Sequence, residues 1–374
     1  MPKTGKILAG GGIFKVMSKI LLHYNYYHII SLENLLEAWK EFARGKQSRK
    51  DVQEFERNLM ANILSLHRNL VAKTYTHSAY QAFKINDPKP RDIHKASVRD
   101  RLLHHALHRI LSPFFAKTFI ADSNSCQKGK GTHRALNRFR KFIDIVSENN
   151  TRTVWVLKCD IKKFFANIDQ AILLEIMKKY IPDNDIVWLI SIIVQSFHSG
   201  TLGVGLPLGN LTSQLFVNIY MNEFDQFMKH KIKAKHYIRY SDDFVVLSRS
   251  RSYLENILPN MQEFLGRKLK LIIHPDKIFI QTVASGVDFL GWVNFPDHRI
   301  LRTTTKKRMF KNIKIKETKT ETVQSYLGLI IHGNNWKLCQ QIKSKVAEGK
   351  GASKQKAEQD ATRNGLKAKN WQMK

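Results

Sequence analysis

The sequence predicts an α+β fold, and three observations carry the prediction. Apolar residues recur at three and four over long stretches, a run of β-branched and aromatic residues fills 153–161, and two further β runs flank Ser241-Asp242-Asp243. The last arrangement makes a tight hairpin, 236–240 against 244–248, with acids at its turn. With 374 residues, 43% of them hydrophobic, the chain can form one large or two to three smaller packed domains. That excludes a disulfide mini-protein and a disordered chain.

From Ser31 to about Tyr75 the apolar residues Leu32, Leu35, Leu36, Phe55, Leu59, Ile63 and Leu66 follow helical spacing, with Ser31 as an N-cap and Glu33 in the first turn. Asp87-Pro88-Lys89-Pro90 breaks the pattern before a basic segment holding Arg91, His94, Lys95, Arg99 and Arg101. A helix is expected from Leu102 to about Leu111, stopping near Pro113. The loop Asn124 to Gly131 leads into a helix from Thr132 to Val146, followed by the strand at 153–161. Helices are expected over 170–180, 185–197 and 213–230, with the loop 203–209 between the last two. Residues 253–265 read as helical despite Pro259, residues 269–273 and 277–282 as strands, and Phe289 to Val293 as one more β element. From Arg302 to Lys319 a helical stretch carries eight Lys or Arg against one acid, and Lys343 to Lys374 carries nine against three.

Lys and Arg number 62 against 31 Asp and Glu, a formal net charge of +31, so a polyanionic partner is expected, nucleic acid first. Cys126, Cys159 and Cys339 are far apart and form no Cys-x-x-Cys pair, which argues against a disulfide framework and a thiolate zinc site. The stretch Ile186 to Phe197 is too short to span a bilayer and reads as a buried helix. Gly10-Gly11-Gly12 interrupts the apolar content of the basic N-terminus, so no secretory signal is expected. These readings favour a cytoplasmic protein without membrane association. His104, His105 and His108 have a spacing that could hold zinc, but no acid accompanies them and a basic helix face is the favoured reading.

Asp160 at a strand end and Asp242-Asp243 at a neighbouring hairpin turn are the candidates for chemistry, because an antiparallel sheet can bring such carboxylates within a few ångströms of one another. Hard oxygen donors of this kind suit Mg²⁺. The ordered set of motifs resembles the reverse transcriptases. Tyr240-Ser241-Asp242-Asp243 is similar to their Tyr-x-Asp-Asp box, and Asp160-Ile161-Lys162-Lys163-Phe164-Phe165 to their first palm motif. Gly209 to Gln214, His274-Pro275-Asp276-Lys277 and Phe289-Leu290-Gly291 follow in the family's order.

The resemblance implies a right-hand polymerase with fingers, an antiparallel-sheet palm and a helical thumb. It divides the chain into a helical N-terminal region (1–80), fingers (81–152), palm with finger elements (153–298), thumb (299–342) and a basic tail (343–374). It implies two Mg²⁺ ions held by Asp160, Asp242 and Asp243, with Lys277 close to the leaving pyrophosphate. Arg91 and Lys95, with Arg99 in competition, would grip the nucleotide triphosphate beside Gln214, and Phe165 would be the gate against a 2′-hydroxyl. Tyr240, Phe289, Leu290 and Gly291, with Lys306, Lys307 and Arg308 beyond them, would contact primer and template.

Within the family, an aliphatic Leu208 before Gly209 and Gln214 after Ser213 resemble the enzymes of diversity-generating retroelements. That implies adenine-mutagenic cDNA synthesis from a template RNA, with Leu208 and Gln214 in fidelity, and a small basic helical accessory protein as partner. The alternatives are a group II intron-like, retron or phage-defence enzyme, and from another class a non-catalytic RNA-binding protein. The latter predicts loss of one of the three acids, and all are present. Gly349 to Ala361 resembles the closing loop and helix of a double-stranded-RNA-binding domain, against the plainer reading of a basic helix.

Overall fold

The computed structural model describes residues 20–86, 90–315 and 320–350. Asp87-Pro88-Lys89, the glycine run near the N-terminus and nearly all of the segment similar to an RNA-binding helix lie outside the described residues.

Four helices come first: α1 (Tyr26–Ile30), α2 (Leu32–Ala43), α3 (Lys50–Arg57) and α4 (Leu59–Val71). Ser31 caps α2 as expected, its hydroxyl accepting from the Asn34 N–H at 3.2 Å, and Leu35, Ala38, Trp39 and Phe42 form the buried face. The antiparallel pair β1 (Gln81–Ile85) and β2 (Arg91–Lys95) follows, then α5 (Val98–Ala116) and α6 (Thr132–Val146). Next come β3 (Trp155–Asp160), α7 (Gln170–Lys178), α8 (Asn184–Gln195), α9 (Leu211–His230), β4 (Tyr237–Tyr240), β5 (Asp243–Ser248) and α10 (Arg251–Leu269). The described chain closes with β6 (Phe279–Thr282), β7 (Val287–Phe289), β8 (Trp292–Asn294), β9 (Arg299–Leu301), α11 (Thr303–Ile315), α12 (Thr320–Ile330) and α13 (Trp336–Lys350).

The central sheet has the order β4-β5-β3-β6 with every pair antiparallel. Both its faces are covered, and β5 shows why the strands read as apolar runs. Phe244 and Val246 enter one core with α9 and α10, while Val245 and Leu247 enter a second core with α6, the three-stranded sheet β7-β8-β9 and the C-terminal helices. Asp160 lies directly opposite Asp243, so the two acids share the face of the second core.

The elements depart from the sequence pattern in several places, among them the unexpected hairpin β1–β2 and strand β9. Helix α5 begins at Val98 and runs through Pro113. The proline falls in the last turn, where its absent N–H removes one bond while buried Phe114 and Phe115 anchor the end. Residues 271–273 form no strand, because α10 continues to Leu269, Lys270 turns left-handed at φ 47°, and only an isolated bridge joins Ile273 to Ile161. Lys277 ends a short 3₁₀ helix, Pro275–Lys277, rather than starting a strand. Phe289 to Val293 is not one strand but a hairpin, with Leu290 and Gly291 both at positive φ between β7 and β8. Finally, His104, His105 and His108 make no basic face: burial holds all three below the usual histidine range, His104 at about 3 and His105 at about 4.

Candidate active site

Strands β4 and β5 are joined by two residues, Ser241 and Asp242, since Tyr240 pairs with Asp243. Ser241 takes φ 59°, an uncommon conformation for a residue with a side chain, and the turn projects Asp242 at the end of the hairpin. β3 ends beside it with Asp160, whose neighbour Ile161 donates its N–H to the Asp242 carbonyl at 3.1 Å. Three carboxylates therefore meet at one sheet end, two of them in direct cross-strand register.

Such an arrangement is electrostatically unfavourable by itself, because like charges opposite each other repel and burial denies them water. Burial followed by the charge of Asp160 pushes Asp242 above the usual carboxylate range. Burial, aided by Asp160, Asp242 and Asp288, pushes Asp243 up to about 7, even though Lys158 lies 3.7 Å away and acts in the opposite sense. Asp243 Oδ1 is buried and accepts no hydrogen bond. Lys277 Nζ donates to Asp160 Oδ1 at 2.6 Å. Crowded hard oxygens with an orphaned lone pair fit a divalent cation in chemistry. Among the described residues no three His, Cys, Asp or Glu side chains form a ready protein cage. Donors of this type are those of a Mg²⁺ site, in which waters and substrate phosphates supply the remaining oxygens.

The two phenylalanines after Asp160 are sorted by the short 3₁₀ helix Phe164–Asn167: Phe164 is buried in the core, whereas Phe165 is half-buried and its carbonyl accepts from the Leu206 N–H at 2.8 Å. Leu208 and Asn210 clamp β2. The Leu208 carbonyl accepts from the His94 N–H at 3.0 Å, and the Asn210 amide donates to the His94 carbonyl at 3.0 Å. A Cβ on Gly209, at φ 103°, would stand 2.9 Å from the Ile93 side chain, so glycine is needed for this approach. Gln214 lies half-buried in the first turn of α9. Arg91 is exposed at the start of β2, while Lys95 Nζ sits 2.7 Å from Asp51 of α3, an acid it shares with Arg101. Arg99 packs over the Tyr75 ring and donates to the Thr76 carbonyl at 3.3 Å, lining the same pocket as Asp51, Lys95 and Arg101.

Tyr240 is half-buried, its hydroxyl accepting from Thr132 at 3.3 Å, and Phe289 is fully buried with Leu290 and Gly291 at the adjoining turn. Lys306, Lys307 and Arg308 lie on α11, where Lys307 is exposed. Lys130 Nζ donates to the carbonyls of Ile120 and Ser123, tying the loop before α6 to its own backbone. Sequence reasoning passed over Arg239 and Asp225, both completely buried beside the acid turn. The available signal was a lone charge in the middle of the apolar run from His236 to Tyr240.

The sequence profile of the family "Reverse transcriptase (RNA-dependent DNA polymerase)" matches residues 84–293, more than half of the chain. Protein YkfC of Escherichia coli is 24% identical over 258 residues, 58% of this chain and 65% of that protein. The group II intron-encoded protein LtrA of Lactococcus lactis is 22% identical over 295 residues, 61% of this chain and 47% of its own length. The matches thus cover between 47% and 65% of these two relatives. A telomerase from Candida albicans, solved with a fragment of telomeric RNA, aligns at TM-score 0.48 with 11% identity, over 68% of this chain and 50% of that one. Among the described residues no helix is long and apolar enough to cross a membrane. With its three acids gathered at one end of an antiparallel sheet and the family profile spanning that sheet, the chain belongs to the reverse transcriptase (RNA-dependent DNA polymerase) family and has its right-hand α+β fold.

Proposed function

We propose that this chain is an RNA-directed DNA polymerase that extends a primer on template RNA with deoxynucleotides. The observation that carries this reading is the register of Asp160 against Asp243 beside the two-residue turn that holds Asp242. Asp160 and Asp242 would hold Mg²⁺, with Asp243 completing the set, and the bound metal would supply activation of the primer 3′-hydroxyl and neutralisation of charge on the leaving pyrophosphate. Lys277, whose ammonium donates to Asp160 at 2.6 Å, gives a proton or a counter-charge to the pyrophosphate in this reading. Phe165 presents a ring beside the sugar, while buried Phe164 supports it at a ring separation of 5.6 Å. Arg91 meets the triphosphate, and Lys95 joins it after leaving Asp51. Tyr240 and the turn Leu290-Gly291 guide the primer end, and Lys306, Lys307 and Arg308 the duplex. In this reading residues 81–152 are fingers, 153–298 palm, 299–342 thumb and 343–374 a basic tail.

The finer reading is a diversity-generating retroelement enzyme that copies template adenines inaccurately and works in the cytoplasm with a small basic helical accessory protein. The box from Leu208 to Gln214 supports it, since Leu208 offers the site only its backbone and an apolar side chain. The test of the polymerase reading is Mg²⁺-dependent extension of an annealed primer on RNA. Wild type should extend, and Asp242→Ala should lose at least about a thousandfold in rate, roughly 4 kcal/mol, while binding primer–template normally. Extension retained by Asp242→Ala would remove the site from the reaction.

A further inference from the structure

The guanidinium of Arg239 is fully buried, and all five of its N–H donors have acceptors. Two go to Asp225, from Nε at 2.8 Å and from Nη2 at 2.6 Å, a bidentate pair across β4 and α9. One goes to Asn218 of α9 at 3.2 Å and one to Ser123 at 3.0 Å, in a loop whose backbone also bonds to both sides of Arg239. The fifth, from Nη1, reaches the carbonyl of Ser241 at 3.0 Å.

That carbonyl belongs to the peptide that immediately precedes Asp242. The peptide that follows Asp242 is fixed from the other side by the Ile161 N–H at 3.1 Å. Asp242 is therefore held at both flanking peptides in a turn whose leading residue, Ser241, sits at φ 59°. The bond to the Ser241 carbonyl satisfies the last buried donor and at the same time ties the guanidinium to the acid turn. We infer that Arg239, oriented by Asp225, is a positioning residue that fixes the Ser241–Asp242 peptide and hence the aim of the Asp242 carboxylate. Misplacement of a reacting group by about 1 Å can lower a rate about a hundredfold. A lysine cannot replace it, because an ammonium that keeps the ion pair with Asp225 lacks the planar fork that spans Asp225 and the turn.

The inference rests on the polymerase reading, so wild type is assayed in parallel by single-nucleotide extension, primer–template affinity and melting temperature. Arg239→Lys keeps a buried charge pair. The double variant Arg239→Met/Asp225→Leu removes both charges, a change that often leaves stability near that of the parent. Tyr237→Phe is the matched control: it deletes a 2.7 Å hydrogen bond to Asp225 in the same network and leaves the turn untouched. Arg239→Lys and the double variant should lower kcat at least about tenfold, with KM for the nucleotide and Kd for primer–template within about twofold. Tyr237→Phe should lower the melting temperature and keep kcat within about twofold. If Arg239→Lys or the folded double variant keeps the parent's kcat, the inference is wrong. It is equally overturned if Tyr237→Phe loses as much rate, or if kcat falls only together with primer–template affinity, because general loosening then explains the data. A wild type that fails to extend any primer sinks the polymerase reading and this inference with it.

Discussion

Four residues apart on one hairpin, the chain buries charge in two opposite ways. Around Arg239 each donor has its acceptor, and a base faces an acid with both partners removed from solvent. Burial opposes the Arg239 charge, but Asp225 more than offsets this, so the guanidinium stays above its already high range. Around Asp243 acid faces acid and one carboxylate oxygen has no partner, with Lys277 bonded to Asp160 and Lys158 3.7 Å from Asp243. The first cluster is complete within the protein and acts as scaffold. The second sets three acids against two lysines with one carboxylate oxygen unsatisfied, and in the proposed reading an external cation makes up the difference. Burial alone thus says little about function; what separates site from scaffold is whether the buried polar atoms are satisfied.

The comparison can be broken most directly at Asp225. Asp225→Ala leaves the Arg239 charge buried without its carboxylate, so unfolding free energy should fall by about 3–5 kcal/mol, measured by denaturant titration. A loss below about 1 kcal/mol would show that water replaces the acid and that the pair is no scaffold.

The opposite sign is expected at the other cluster. Asp243→Asn should raise the stability of the metal-free protein by about 1–2 kcal/mol while abolishing extension. Because the carboxyl is pushed up to about 7, it is charged in both folded and unfolded chains above that pH, and there the gain is complete. As pH falls below about 7 toward the ordinary carboxylate range, the folded wild type keeps its proton and the gain disappears. Thermal melts of both proteins across that window decide the matter, and a variant less stable than its parent at high pH contradicts the repulsion argument.

A smaller effect sharpens the contrast between Phe164 and Phe165. Phe165→Val should raise ribonucleotide use relative to deoxynucleotide by about tenfold, or about 1.4 kcal/mol, and leave melting nearly unchanged. Phe164→Val should do the reverse, because its ring is in the core. Equal discrimination by wild type and Phe165→Val would place the gate elsewhere.

The smallest change is expected at the loop that clamps β2. Leu208→Gln, alone or with Gln214→Pro, should lower misincorporation opposite template adenine several-fold, the size of one polar contact of about 1 kcal/mol. Sequencing of the cDNA reads it, and an unchanged adenine error rate would release the loop from the fidelity reading without touching the polymerase assignment.

The sequence by itself determined the class of fold, the cap of α2 and the apolar faces of the early helices, and the identity and order of the acids. These are local properties: Ser31 caps from its own turn, and Ser241-Asp242-Asp243 between apolar β runs makes a hairpin, which the structure tightens to a two-residue turn by drawing Asp243 into β5. The tertiary structure alone decided what each polar group meets. Pro113 is tolerated because Phe114 and Phe115 anchor the helix end, and the paired turn residues Leu290 and Gly291 split one β run in two. His104 is kept neutral by burial first and then by His77, which lies 27 positions earlier in the chain yet stacks on its ring at 5.3 Å. Lys95 finds Asp51 and Arg239 finds Asp225 across folds of the chain that no periodicity encodes. Periodicity reports which side of an element faces inward, whereas a buried charge is defined by partners that arrive from other elements, and only the packed molecule brings them there.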